Sequence, residues 1–221
     1  VVAFLIPWRP GDAHREAAWR QLRARHLELG RTVIQGTHIE GPWCKAAAIA
    51  NALQRTDADQ LVVHDADVWC DGVDDAIGAL DDCTRWAIPH GKVYRLAEGQ
   101  MEPSIERGAL AQPPYPGWAG GGIVVIDRTA YESCPLDPRH LGWGQEDASW
   151  ALALTALHGL PWRGDTPLFH WWHPPQPRRS RTVGSPEGAA LHKRYTRSAK
   201  SRRQMLELIE EARDALRSIP T

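Results

Sequence analysis

Short unbroken apolar runs alternate along this chain with longer stretches of helical spacing. The opening run Val1-Val2-Ala3-Phe4-Leu5-Ile6 reads as a buried strand. Pro10, Gly11 and Asp12 then lead into a helix over 13–29, with Trp19, Leu22, His26 and Leu29 on one face. A short strand at 32–35 follows, then an alanine-rich helix at 44–55 whose small side chains imply close packing, then a strand at 61–66. A helix at 73–81 and a strand at 85–89 continue the alternation. Residues 97–119 read as a loop holding Gly99, Gly108, Pro113, Pro114, Pro116 and Gly117, and so long a loop inside a compact domain is usually functional or mobile. A strand at 120–126 and a helix at 146–158 complete the pattern, with no internal repeat. Such alternation predicts right-handed crossovers and an α/β fold with a mixed, mainly parallel sheet flanked by helices.

Composition changes this picture past residue 175. A chain of 221 residues can bury a full core as one domain, or as one domain with an appendage. The net charge of -1 conceals a polarised molecule. Arg178, Arg179, Arg181, Lys193, Arg194, Arg197, Lys200, Arg202 and Arg203 crowd the 178–203 tract, opposed there only by Glu187. The expected division is a domain over 1–175 and a basic, largely helical extension over 176–221 packed on it. Residues 187–217 look helical, with Leu191, Tyr195, Met205, Leu208, Ile209 and Ala212 as packing positions. The tract fits either a solvated helix or an electrostatic footprint for a polyanion such as nucleic acid. No apolar run is long enough to span a bilayer, and the opening run is too short and lacks the basic flank of a signal peptide. Cys44, Cys70, Cys83 and Cys134 form no C-x-x-C pair, which points to reduced thiols, a cytoplasmic setting and no zinc site. Several of the eleven tryptophans fall in Gly- and Pro-rich loops, where a ring more often shapes a pocket than fills a helix interface.

The chemistry concentrates in Leu61-Val62-Val63-His64-Asp65-Ala66-Asp67-Val68-Trp69. Read as a strand, it sends Asp65 and Asp67 to one face at its C-terminal end. Two hard oxygen ligands there suit Mn2+ or Mg2+, whose shell is completed by water and substrate phosphates. The same pattern also fits a turn whose aspartates accept local backbone hydrogen bonds. Glu146 and Asp147, likewise, fit both a catalytic pair and a helix N-terminus.

Three further segments fall in a recognisable order with this one: Pro7-Trp8-Arg9, Gly142-Trp143-Gly144-Gln145-Glu146-Asp147, and Phe169-His170-Trp171-Trp172-His173, with Gly120-Gly121-Gly122 between. The set resembles the nucleotide-sugar glycosyltransferases of GT-A fold, closest to the β-1,4-galactosyltransferase type and the related C-terminal galactosyltransferase-like module, over roughly residues 1–175. The resemblance implies a metal-dependent, inverting transfer from a nucleotide-diphosphate sugar, UDP-linked by preference, to an acceptor hydroxyl. It makes Asp147 the base with Glu146 beside it, and Asp67, Asp65, His170 and His173 the candidate metal ligands. Pro7, Trp8, Arg9, Lys45, Asn51 and Asp65 fall to the donor, and Gly121, Gly122, Trp143, Gly144 and Glu146 to the sugar and acceptor. This chain departs from the family pattern at Gln145, where the family has Gly, and at Ala148 and Ser149, where it has acidic residues. Phage-encoded enzymes of similar build extend the acceptor classes to hydroxymethylated DNA and virion proteins. Two rival readings are a metal-dependent nucleotidyltransferase and a nonenzymatic nucleic-acid-binding protein using the basic tract. The first lacks a Gly-rich phosphate loop at the first strand, and the second leaves both acidic motifs unexplained.

Overall fold

Alternate residues of the central strands enter two different apolar cores. The computed structural model describes residues 1–106, 108–174 and 185–219. Its first half runs β1 (Val2–Trp8), α1 (Ala13–Glu28), β2 (Val33–Thr37), α2 (Lys45–Leu53), β3 (Gln60–His64), β4 (Val68–Trp69) and α3 (Val73–Gly78). The second half runs β5 (Trp86–Arg95), β6 (Tyr115–Pro116), β7 (Ile123–Asp127), α4 (Arg128–Ser133), α5 (Glu146–His158), β8 (Trp162–His170), α6 (Pro186–Ser198) and α7 (Arg202–Arg217). In β1, Ala3 and Leu5 join one cluster while Phe4, Ile6 and Trp8 join the other. In β7, Val124 and Ile126 part in the same way from Ile123 and Val125. A sheet buried on both faces needs strands without polar alternation, which is why these segments read as continuous apolar runs.

The sheet order is β2-β1-β3-β7-β5-β8-β4, with β6 added on β5. β1 pairs in parallel with β2 and β3, and β5 in parallel with β8, whereas β7 enters antiparallel between β3 and β5. The α/β sheet is therefore mixed as expected, and its parallel pairings stop at β3 and resume only at β5. One consequence positions the site. The C-terminal ends of β1, β3 and β8 and the N-terminal end of β7 all open on the same edge, where α/β sheets bind ligands.

Local differences from the sequence expectation have local causes. Residues 120–122 form a turn instead of the start of a strand, because Gly120 and Gly122 adopt φ of 83° and 77°. The 97–119 stretch is less of a loop than expected: β5 runs on to Arg95, β6 pairs with it, and Leu96 bridges Leu110. Leu29 lies past the end of α1 and is 55% exposed, so it leaves the expected apolar face. The 187–217 stretch is helical as expected and divides into two helices, since Ser201 caps a fresh start by accepting from the Gln204 amide. The expected close packing of α2 is real, because a Cβ on Gly36 of β2 would run into the Ala48 carbonyl.

Leu191 and Tyr195 of α6 and Met205, Leu208 and Ile209 of α7 share a cluster with Trp150 and Leu154 of α5 and with Cys134. Each large apolar side chain buried there contributes roughly 1.5–3 kcal/mol. That outweighs the surface pairs Arg213–Glu210 and Arg217–Asp214 of α7, which are solvent-screened and contribute little. A buried polar knot adds register: Tyr195 donates to Asp137 Oδ2 at 2.8 Å, and Arg139 joins Asp137 to Glu211.

Candidate active site

β3 stops at His64, and residues 65–67 turn instead of continuing the strand. Strand alternation therefore does not apply to Asp65 and Asp67, and the expectation that they share a face fails for that reason. β4 then pairs with the end of β8, matching Val68 with His170, and the Trp171 amide donates to Asp67 O at 2.9 Å. This register carries Asp67 to the histidines. Ligand atoms of Asp67, His170 and His173 all lie within 4.8 Å of one another. His170 Nδ1 meets Trp171 O and His173 Nδ1 meets Pro174 O, each at 2.8 Å. A ring nitrogen facing a carbonyl must carry the proton, so each Nε2 presents a lone pair, and that of His173 faces Arg15 Nη2 at 3.4 Å. Burial pushes His170 down to about 4, which keeps it neutral and ligand-competent at neutral pH. Burial would raise the Asp67 carboxyl, but His170, Arg15, His173 and Arg95 together hold it below the usual carboxylate range. One carboxylate and two imidazoles fit a first-row divalent cation such as Mn2+.

Asp65 goes elsewhere. Lys45, first residue of α2 and buried, places Nζ 2.7 Å from Asp65 Oδ1 and 2.8 Å from Asp147 Oδ1. Asp147 and Glu146 open α5, with the Gly144 amide donating to Glu146 Oε2 at 3.0 Å. Burial raises the Asp147 carboxyl to about 7; Lys45 opposes this, while Glu146 and Asp65 reinforce it. Burial raises Glu146 as well, again against Lys45. Lys45 is pushed well above its usual range: burial works against its charge, and Asp147, Asp65 and Glu146 more than compensate.

Glycines bring the backbone up to this group. A Cβ on Gly120 would strike the Asp147 carbonyl, and one on Gly121 would sit 3.8 Å from Asp147 Oδ2. The Gly122 carbonyl accepts from the Asp65 amide at 2.8 Å, tying the turn before β7 to the turn after β3. Trp143 and Trp118 stand partly open nearby in sequence, at 37% and 75% exposure. Gln145, at the α5 N-cap, has φ of 67°, the only positive φ at a non-glycine among the described residues. It holds the place where the resembling family has Gly, and its Oε1 is buried without a partner.

Other sequence candidates are engaged in the fold. Pro7 and Trp8 are buried, and the Trp8 ring stacks on Trp19 at 6.1 Å. Arg9 donates to Gly41 O at 2.9 Å. Asn51 lies away from the carboxylates, accepting from the Thr37 amide at 3.1 Å and so fastening α2 to β2. In the basic tract, Arg178, Arg179 and Arg181 lie outside the described residues. Arg194 pairs with Glu211, Arg203 with Glu207, and Arg202 donates to Leu157 O. Lys193, Arg197 and Lys200 are exposed, with no ion pair among the described residues. Sequence reasoning missed Arg15 and Arg95, the guanidiniums beside Asp67. The signal for Arg15 was its place in the first turn of the helix that follows Pro7-Trp8-Arg9. Arg95 had none, since its β8 partner His170 is remote in sequence.

No family model and no curated protein matches the chain. Among solved structures, it is similar to the catalytic domain of Drosophila β1,4-galactosyltransferase 7 in complex with xylobiose, at 16% identity and TM-score 0.44, over 83% of this chain and 67% of that one. It is also similar to a mutant of the same enzyme in complex with manganese, UDP-Gal and xylobiose, at 15% identity and TM-score 0.45, with the same coverage. Glucosyl-3-phosphoglycerate synthase from Mycobacterium tuberculosis, in complex with Mn2+, UDP-glucose and phosphoglyceric acid, aligns over 91% of this chain and 79% of that one, at 15% identity and TM-score 0.48. The likeness is one of backbone path, and a loose one.

Proposed function

We propose that the chain is a metal-dependent, inverting glycosyltransferase of GT-A type, moving a sugar from a UDP-sugar to an acceptor hydroxyl. One observation carries the reading: the turn 65–67 joins two centres of different chemistry, Asp67 to two imidazoles and Asp65 through Lys45 to Asp147. Asp67, His170 and His173 would hold Mn2+ or a similar divalent ion, which when bound supplies Lewis-acid stabilisation of a departing diphosphate. Arg15 and Arg95 add positive charge on that side. On the other side, Asp147 accepts the proton of the acceptor hydroxyl. A carboxyl raised to about 7 is matched to proton transfer near neutral pH. Lys45 keeps it ionised and aimed, a role closer to the base than the donor-binding one expected from sequence. Gly121 leaves room for a sugar against Asp147.

This reading gives the basic tract no part: Arg194, Arg202 and Arg203 contact the fold, while Lys193, Arg197 and Lys200 stand exposed. Among the described residues no helix is long and apolar enough to cross a membrane. The free thiols of Cys44, Cys70, Cys83 and Cys134 support a reducing, cytoplasmic setting.

Thermal melting tests the reading. A UDP-sugar should raise the melting temperature of the wild-type protein only when Mn2+ is present, and should leave Asp67→Asn unmoved. No rise with any nucleotide sugar, or an equal rise without metal in both proteins, would sink it.

A further inference from the structure

The guanidinium of Arg15 stands among the lone pairs that a cation at Asp67 would use. Its Nη2 lies 3.4 Å from His173 Nε2, and its Nε lies 3.7 Å from Asp67 Oδ2. Because His173 Nδ1 is the proton-bearing nitrogen, Nε2 is an acceptor and Arg15 the donor. One lone pair cannot accept from a guanidinium and coordinate a cation at the same time. Arg15 in its present position therefore competes with the metal.

Two further features say where Arg15 would otherwise go. Its Nε–H is buried with no hydrogen-bond acceptor, since 3.7 Å from a carboxylate oxygen is beyond bonding reach. A buried donor left unpaired is costly, so the site lacks an acceptor that Arg15 is built to meet. Arg15 also lies in the first turn of α1, three residues past the Asp12 cap, where the helix dipole disfavours a cation and welcomes an anion. His14 packs edge-on against Trp172 at 4.6 Å, which holds that turn against the segment bearing both imidazoles. The missing acceptor is thus anionic and adjacent to the metal centre. A phosphoryl oxygen meets both conditions, and the guanidinium fork matches it in geometry.

We propose that Arg15 is a two-position residue: without ligand it occupies the lone pair of His173, and when a nucleoside diphosphate enters it turns to a phosphoryl oxygen and frees the imidazole for the cation. The inference rests on the metal-dependent nucleotide-sugar reading and adds an order to it. Metal and nucleotide bind together, each strengthening the other by the same factor, because a single side chain stands in the way of one and reaches for the other.

The test measures two affinities in Arg15→Met. Mn2+ titrated without nucleotide and followed by electron paramagnetic resonance should bind about tenfold more tightly than to the wild-type protein, because a competing charge-assisted hydrogen bond is gone. UDP titrated calorimetrically at saturating Mn2+ should bind about tenfold more weakly, through loss of the phosphoryl contact. Opposite signs separate this role from a structural one, which would weaken both. Arg15→Gln repeats the comparison with the same expected signs should the methionine variant not fold. Mn2+ affinity unchanged or weaker in the variant, with the wild-type protein binding Mn2+, overturns the role of Arg15 alone. No Mn2+ binding by the wild-type protein, with or without UDP, overturns the metal centre and this inference together.

Discussion

The two halves of the candidate site are charged in opposite senses. Around Asp67, burial keeps His170 neutral, and the standing charges are one carboxylate against the guanidiniums of Arg15 and Arg95. Around Asp147 three carboxylates, Asp65, Glu146 and Asp147 itself, share the single ammonium of Lys45. A surplus of positive charge invites an anion, and a surplus of buried negative charge invites a proton. The turn at 65–67 thus separates a place suited to a leaving diphosphate from a place suited to a base. The contrast teaches that adjacency in sequence matters less here than the sign of what each aspartate faces.

The contrast breaks most severely at Asp147. Asp147→Asn keeps the shape and removes the base, so transfer should fall about a thousandfold while UDP-sugar affinity stays within a factor of two or so. Retained turnover measured by UDP release would reject Asp147 as the base.

Lys45→Met tests the balance on the same side. Leaving Asp65 and Asp147 without their counter-ion should cost about 3 kcal/mol at pH 8 in urea unfolding. The sign with pH follows from the Asp147 carboxyl, whose folded value of about 7 already exceeds the unfolded one near 4. A carboxyl raised on folding takes stability away above its folded value and returns it as pH falls towards the unfolded value. The deficit of Lys45→Met should therefore be greatest above pH 7 and shrink towards pH 5. The rise of kcat/KM with pH should centre near 7 in the wild-type protein and at higher pH in Lys45→Met. An unshifted profile would show that Lys45 does not govern the base.

The smallest effect concerns the backbone that presents the carboxylates. Gln145 holds a left-handed conformation with a buried, unpartnered Oε1. Gln145→Gly should stabilise the fold by about 1 kcal/mol, as the strain of the side chain is removed. A destabilised glycine variant would mean that the glutamine side chain holds the turn in place.

Much of this architecture was legible in the chain. Apolar runs without polar breaks announced strands buried on both faces, and the helix opening at Glu146 begins where the carboxylate pair predicted it. Asp65, Asp67, His170 and His173 were named together as metal ligands, and the structure gathers the last three. Asp65 was misplaced because the strand pattern was carried past His64, where the chain in fact turns. Lys45 was assigned to the donor, yet it lies between two carboxylates.

What the sequence alone determined is the set of elements and the residues at their ends, because periodicity and capping are local properties of the chain. The antiparallel entry of β7, the partners of Lys45 and the approach of Arg15 to His173 were decided only by tertiary structure. Each depends on the direction a long side chain or a whole strand takes between elements far apart in sequence. Lys45 and Asp147 are 102 residues apart, and Arg15 and His173 are 158 apart. No local pattern encodes such a meeting; it is set by which faces of the sheet bury α1, α2 and α5.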